Sequence, residues 1–378
     1  MTPRGATAPA GRDRAHQLLT DLVAERSIII CSGSGGVGKT TTAAVLAMEA
    51  ARLGRRAVVV TIDPAKRLAD ALGLGDLGIG NEPQKIEGGW PGELSAVMLD
   101  TKGTFDALVT RYSTDPDQAE RILDNRFYKN ISGALSGTQE YMAMEKLYDL
   151  HTDPDFDLVV VDTPPSRNAL DFLDAPRRLT RFLDHRLYRV LMAPTRGVMK
   201  AVNVAAQAFI RSVSKVVGGE VFDDAVAFFQ AFDGMEEGFK ERAELVLDLL
   251  SSPVTSFVLV ASPKRDTVTE AEFFAGKLAE ADIEVSALVV NRMHPRFTDA
   301  PPEAIAARAE SLADTELGDL YRNLADFTAV ADREEHHLMG LAEKVAPAPM
   351  VRVPFLRTDV HDLAGLDLVA DRLFGRAP

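Results

Sequence analysis

Three short stretches of this 378-residue chain carry the residue types that handle polyphosphates. The first is Gly33-Ser34-Gly35-Gly36-Val37-Gly38-Lys39-Thr40-Thr41. Glycines at that spacing let consecutive backbone N–H groups turn inward around a β-phosphate, and a helix starting there adds the partial positive charge of its N-terminus. Lys39 then reaches the β- and γ-phosphates, and the Thr40 hydroxyl is suited to ligate Mg²⁺. The second stretch is Asp63 after the run AVVVTI. A carboxylate at that place orients a water for attack on a γ-phosphate or holds the metal through water, although Asp63-Pro64 also suits a helix start. The third is Asp162, which closes LVVVD and has the form of the acidic strand that supports Mg²⁺. The loop Thr163-Pro164-Pro165-Ser166 leaves it at once, placed to sense a γ-phosphate. The three together predict a site for ATP or GTP.

These groups need elements to hold them. SIIIC (27–31), AVVVTI (57–62) and LVVVD (158–162) are short β-branched runs, the pattern of strands buried on both faces of a parallel sheet. TTTAAVLAMEAARLG reads as a helix stopping at Gly54. Strand, glycine loop and helix in succession are the setting a phosphate loop requires. The expected fold is therefore α/β, a doubly wound and mostly parallel sheet, with a helical subdomain inserted on the nucleotide side over about 104–150 and 176–250. Residues 1–15 are expected to be a flexible polar segment and 16–378 a single domain. With one phosphate loop and no repeat, an internal pseudo-dimer is excluded.

A net charge of −14 argues against general nucleic-acid binding, which needs Lys and Arg against phosphates. Between Pro176 and Val216, however, nine Lys or Arg face one Asp. The lone cysteine, Cys31, excludes an intrachain disulfide. No apolar run reaches the length of a membrane span, and the first residues lack the core of a secretory signal. A cytoplasmic location is expected, with a peripheral place at the membrane left open. His336-His337 sit about 100° apart on a helix, a poor chelate, and are assigned to the surface.

With these residues in view, the chain resembles the arsenite-pump and tail-anchored-protein-targeting ATPases. Their loop reads G-K-G-G-x-G-K-T, matched by Gly33 to Thr40 except at Ser34. Their first switch, D-P-A-x-x-L-x-D-A, is matched by Asp63 to Ala71, and their second by Asp162 to Leu173 with Pro176 following. The C-terminal half is similar too, through VVNR (289–292) and VRVPFL (351–356). The resemblance spans 27–375 and implies that Asn291 contacts adenine, that Pro354 sits beside the base, and hence ATP over GTP. It also implies a dimer with two facing nucleotide sites. In the targeting ATPases the inserted helices form a groove for a hydrophobic client helix. Here the stripe Met199, Val202, Ala206, Phe209, Val213 and Val216, continued by Phe222, Val226, Phe229 and Phe232, offers such a face, and Tyr141-Met142-Ala143-Met144 would line it. Plain internal packing and a basic membrane-facing helix pair (Arg177, Arg178, Arg181, Arg186, Arg189) stand beside that reading.

Three departures shape the expectation. Ser34 replaces the lysine that, in the family, crosses to the opposite subunit's phosphates, which implies slow hydrolysis in a homodimer or a heterodimer with a lysine-bearing paralogue. One cysteine forms neither a thiolate arsenite site nor a zinc staple nor an iron–sulfur cluster. Arg167-Asn168 replace a Gly-containing pair in the second switch. The leading reading is a Mg-dependent ATPase with Asp63 and Lys39 catalytic, handling a hydrophobic or membrane-protein client. The alternative is an ATP-binding regulatory or scaffold subunit that hydrolyses little. A partition-type ATPase fits less well, since such chains lack so large a helical insert.

Overall fold

The computed structural model describes residues 10–62, 67–73, 80–131, 138–164, 175–178, 180, 181, 183, 184 and 219–376. The chain divides into a sheet unit, built from 1–98, 151–169 and 253–378, and a helical unit, built from 99–150 and 170–252.

Eight strands form the sheet: β1 (Ile28–Ser32), β2 (Arg56–Thr61), β3 (Gln84–Ile86), β4 (Glu93–Met98), β5 (Leu158–Asp162), β6 (Thr255–Ala261), β7 (Val285–Met293) and β8 (Met350–Pro354). Their order is β3-β4-β2-β5-β1-β6-β7-β8, parallel throughout except for the antiparallel edge strand β3. The α/β, mostly parallel fold read from the sequence is the one observed. Side chains alternate between faces along a strand. Ile29, Cys31, Val59, Val160 and Val258 join one core cluster with the helices Lys39–Arg52 and Leu363–Leu373. Their alternates Ile28, Ile30, Val58, Val159 and Leu259 are equally buried, so both faces are covered. Burial of each such side chain is worth about 1.5–3 kcal/mol, which explains why the middles of these strands are apolar.

Register does the positioning. Cys31 of β1 and Thr61 of β2 both lie level with Asp162 of β5. The strand after β1 lies toward one edge of the sheet and the strand after β5 toward the other, and open α/β sheets take ligands in the crevice beyond the strand ends at such a switch point. A helix at Ala10–Glu25 begins inside the segment 1–15 expected to be a flexible lead-in. Leu19, Leu22 and Val23, spaced for one helical face, are buried and anchor it, and the helix extends N-terminally from that anchor.

The helical unit contains helices at Thr101–Tyr112, Pro116–Asp124, Arg126–Ile131, Thr138–Thr152, Gly219–Ala231 and Glu236–Leu250. Asp100 and Asp115 cap the first two, accepting from the amides of Gly103 and Gln118 at 3.0 and 2.7 Å. Its centre is aromatic: Phe228 and Phe232 are 4.9 Å apart, Phe232 and Phe239 5.7 Å, and Tyr112 and Phe239 5.0 Å. Tyr141, Met142, Ala143 and Met144 are all buried, so this run packs the interior and does not line an open groove. An apolar run on a helix has no feature that separates core from groove until its neighbours are in place. Phe229 stacks beside Phe127 and Phe228, and Phe232 is buried, while the stripe 199–216, the side chain of Phe222, and Arg186 and Arg189 lie outside the described residues. A cleft of about 600 Å³ on this unit is lined by Thr110, Ser113, Thr114, Asp115, Glu120 and Asp124 among others. Both His336 and His337 are exposed on the helix Glu316–Val345. Among the described residues no helix is long and apolar enough to cross a membrane.

Candidate functional site

The loop from Gly33 to Gly38 links β1 to the helix Lys39–Arg52, and two of its glycines are required by close approach. A Cβ at Gly33 would lie 2.0 Å from the carbonyl oxygen of Val260, and one at Gly38, whose φ is +97°, 2.2 Å from Nδ2 of Asn291. Gly38 is the N-cap of the helix, with no side-chain cap and no acidic residue in the first turn. That end therefore presents unsatisfied N–H groups and the positive pole of the helix, the standard conditions for binding an anion. Gly35 and Gly36 are exposed, while Val37 is buried and anchors the loop.

Lys39 is almost fully buried, its ammonium donating to the Ser34 carbonyl at 2.8 Å, so the side chain folds back over the loop. Thr40 Oγ1 donates to Asp162 Oδ2 at 2.7 Å, and Thr61 Oγ1 donates to the same oxygen at 3.0 Å. This cluster of two hydroxyls and a carboxylate consists of hard oxygen donors, the set that suits Mg²⁺. Thr163 Oγ1 donates to the Cys31 carbonyl at 2.8 Å and ties the start of the following loop to β1. Burial, reinforced by the Asp162 carboxylate and opposed by Lys39, pushes the Cys31 thiol far up, so it stays protonated. Cys31 is a packing residue of the strand. Ser34 is buried, and its Oγ has no hydrogen-bond partner among the described residues.

On the other flank, Asn291 Nδ2 donates to Val37 O at 3.0 Å, and Arg292 Nη1 donates to Gly36 O at 2.9 Å. Pro354 closes β8 in register with Met293, so Asn291 and Pro354 stand at the ends of neighbouring strands. Gly33 to Thr41, Asp162, Asn291 and Pro354 thus gather at one end of the sheet, whereas Asp63 and residues 165–174 of the second switch lie outside the described residues. Thr61 and Arg292 are additions. Thr61 was legible only as a residue of the buried run 57–62, and its contact with Asp162 follows from β2 pairing with β5. Arg292 sat inside the quoted VVNR motif, but its contact with Gly36 crosses 256 residues.

Residues 26–331 match the family described as anion-transporting ATPase. The chain belongs to that family. Among its relatives, an "ATPase get3" of Aspergillus terreus is 24% identical over 284 residues, covering 74% of this chain and 78% of the relative. A protein of Aquifex aeolicus named as an arsenical pump-driving ATPase is 21% identical over 365 residues, covering 93% and 79%. An "ATPase get3" of Neurospora crassa is 23% identical over 290 residues, covering 76% and 80%. Membership of that family supports an ATPase kind of protein.

Proposed function

We propose that this chain is a Mg-dependent ATPase that works as a nucleotide-switched dimer and handles a hydrophobic or membrane-associated client. The observation that carries the nucleotide part is the uncapped, acid-free helix N-terminus beside the Thr40–Asp162–Thr61 cluster. In this reading the loop amides and Lys39 hold the β- and γ-phosphates, and Asp63 positions the attacking water. Thr40, with Asp63 and Asp162 through water, holds Mg²⁺, which when bound neutralises phosphate charge. Asn291 and Pro354 frame the adenine. Residues 16–378 act as one phosphate-loop domain carrying its helical subdomain. The client, the dimer, the cytoplasmic location and a peripheral place at the membrane rest on likeness to the targeting ATPases, and nucleic acid is not a partner. An arsenical client of the kind in the Aquifex relative's name does not fit, because the single thiol is buried and protonated.

A second reading, an ATP-binding subunit that turns over little by itself, is favoured by Ser34. Its side chain is short, uncharged and buried, so it supplies no cation to a facing subunit. A heterodimer with a lysine-bearing paralogue would then provide the missing charge. The deciding experiment is steady-state MgATP hydrolysis by the purified chain, with Asp63→Asn as control. Turnover that disappears in Asp63→Asn supports the self-sufficient ATPase. Tight ATP binding without turnover supports the regulatory subunit, and no ATP binding at all removes both.

A further inference from the structure

We propose that Arg292 is a positioning residue for the phosphate loop, holding it with Asn291 so that its N–H groups face the nucleotide phosphates; this rests on the nucleotide reading above. The observations begin in the backbone. The β7–β8 pairing shifts register between Val290 and Met293, which takes Asn291 and Arg292 out of the regular ladder. Arg292 has φ of +62°, in the left-handed region. The other described non-glycine residues with positive φ are Asp282 and Asp314, a residue type that tolerates this conformation. Arginine has no such ease, and a strained conformation at an exposed residue calls for a local reason.

The contacts supply one. In this conformation the Arg292 amide donates to Asn291 Oδ1 at 2.9 Å, which fixes which end of the Asn291 amide faces the loop. Asn291 Nδ2 then donates to Val37 O, and the Arg292 guanidinium to Gly36 O. Two consecutive loop carbonyls are therefore held on the β7 side. In a trans peptide unit the C=O and the following N–H point in opposite directions. Anchoring Gly36 O and Val37 O turns the amides of Val37 and Gly38 away from β7 and into the concavity of the loop. Gly36 at φ +74° and Gly38 at φ +97° permit the turn, and the approach of Asn291 leaves no room for a Cβ at residue 38. The guanidinium is exposed and so contributes little to packing; its contact is with the loop.

The test is Arg292→Gly, which removes the guanidinium while glycine adopts the left-handed backbone without penalty. Arg292→Lys is the partial rescue, since an ammonium keeps one charged donor. Two readouts are taken: NMR backbone order parameters across 33–40 in nucleotide-free protein, and ATP affinity by calorimetry with Mg²⁺, with Lys39→Ala as the binding control. The expected result for Arg292→Gly is an unchanged or raised urea midpoint, lower order parameters at Val37 and Gly38, and ATP affinity weaker by about tenfold, the loss for one charged hydrogen bond. Arg292→Lys should recover part of both. Wild-type order parameters and affinity in Arg292→Gly would overturn the proposal, as would a lowered urea midpoint with affinity intact. If the wild-type chain binds no ATP the nucleotide reading fails, and the order parameters still judge whether Arg292 orders the loop.

Discussion

Asp162 and Glu145 are both buried carboxylates, yet the two units of the molecule hold them differently. Asp162, in the sheet unit, accepts from two threonine hydroxyls at the C-terminal ends of parallel strands. Glu145, in the helical unit, accepts from the Tyr141 hydroxyl at 2.5 Å and from Arg242 Nε at 2.8 Å. Arg242 also pairs with Asp149 and stacks on Tyr148, 3.8 Å from the ring centre, and Asp149 reaches Arg111 at 3.0 Å. Hydroxyls rotate, and can turn from a carboxylate to a metal or phosphate without moving the backbone. A guanidinium fork locked between two carboxylates and a ring has no such freedom. Burial of an acid therefore marks a functional site only when its partners can be redirected and a ligand can reach it.

The largest effect that would test this contrast is Lys39→Ala. Removing the loop cation should weaken ATP binding about 100-fold or more, as expected for a charge paired with phosphate in a desolvated site, measured by calorimetry. Arg242→Ala should do the opposite. Stranding the Glu145 carboxylate should lower unfolding stability by about 3 kcal/mol in urea titrations, while the folded fraction still binds ATP. A stable Arg242→Ala that has lost ATP binding would reverse the roles assigned to the two carboxylates. The smallest effect concerns pH. Burial raises the Glu145 carboxyl above its ordinary value, and Tyr141 and Arg242 pull against that. The folded state thus holds this proton more tightly than the unfolded chain. Its contribution to stability is full below the ordinary glutamate value of about 4.3 and is lost as pH rises through the raised value. Glu145→Gln should flatten that part of the stability–pH curve, and an unchanged slope would place the titration elsewhere.

Much of the sheet unit was legible because local pattern and local chemistry coincide there. The runs 27–31, 57–62 and 158–162 are too β-branched for helix and too short for anything but buried strands, and the strands Ile28–Ser32, Arg56–Thr61 and Leu158–Asp162 match them within a residue at each end. The loop was readable because its glycines, Lys39 and Thr40 are contiguous. The helical unit was less legible. Tyr141 to Met144 has the composition of a client-binding face and of a core alike, and its burial depends on helices distant in the chain. The helix Ala10–Glu25 was not read from the sequence, and its first residues were assigned to a flexible segment, since AGRDR carries no apolar stripe of its own.

What the residues dictated without help from the fold was chemical identity: a polyphosphate loop, acids at strand ends, and a serine where the family keeps a lysine. Which groups meet was settled by strand order and register. Thr61 touches Asp162 because β2 and β5 pair in parallel with those two residues level, and Arg292 reaches Gly36 because β7 stands two places from β1. The pairings of β1 and β2 with β5 act across a hundred residues or more of chain, and no local propensity encodes their register. Burial of alternating side chains on both faces of the sheet selects it.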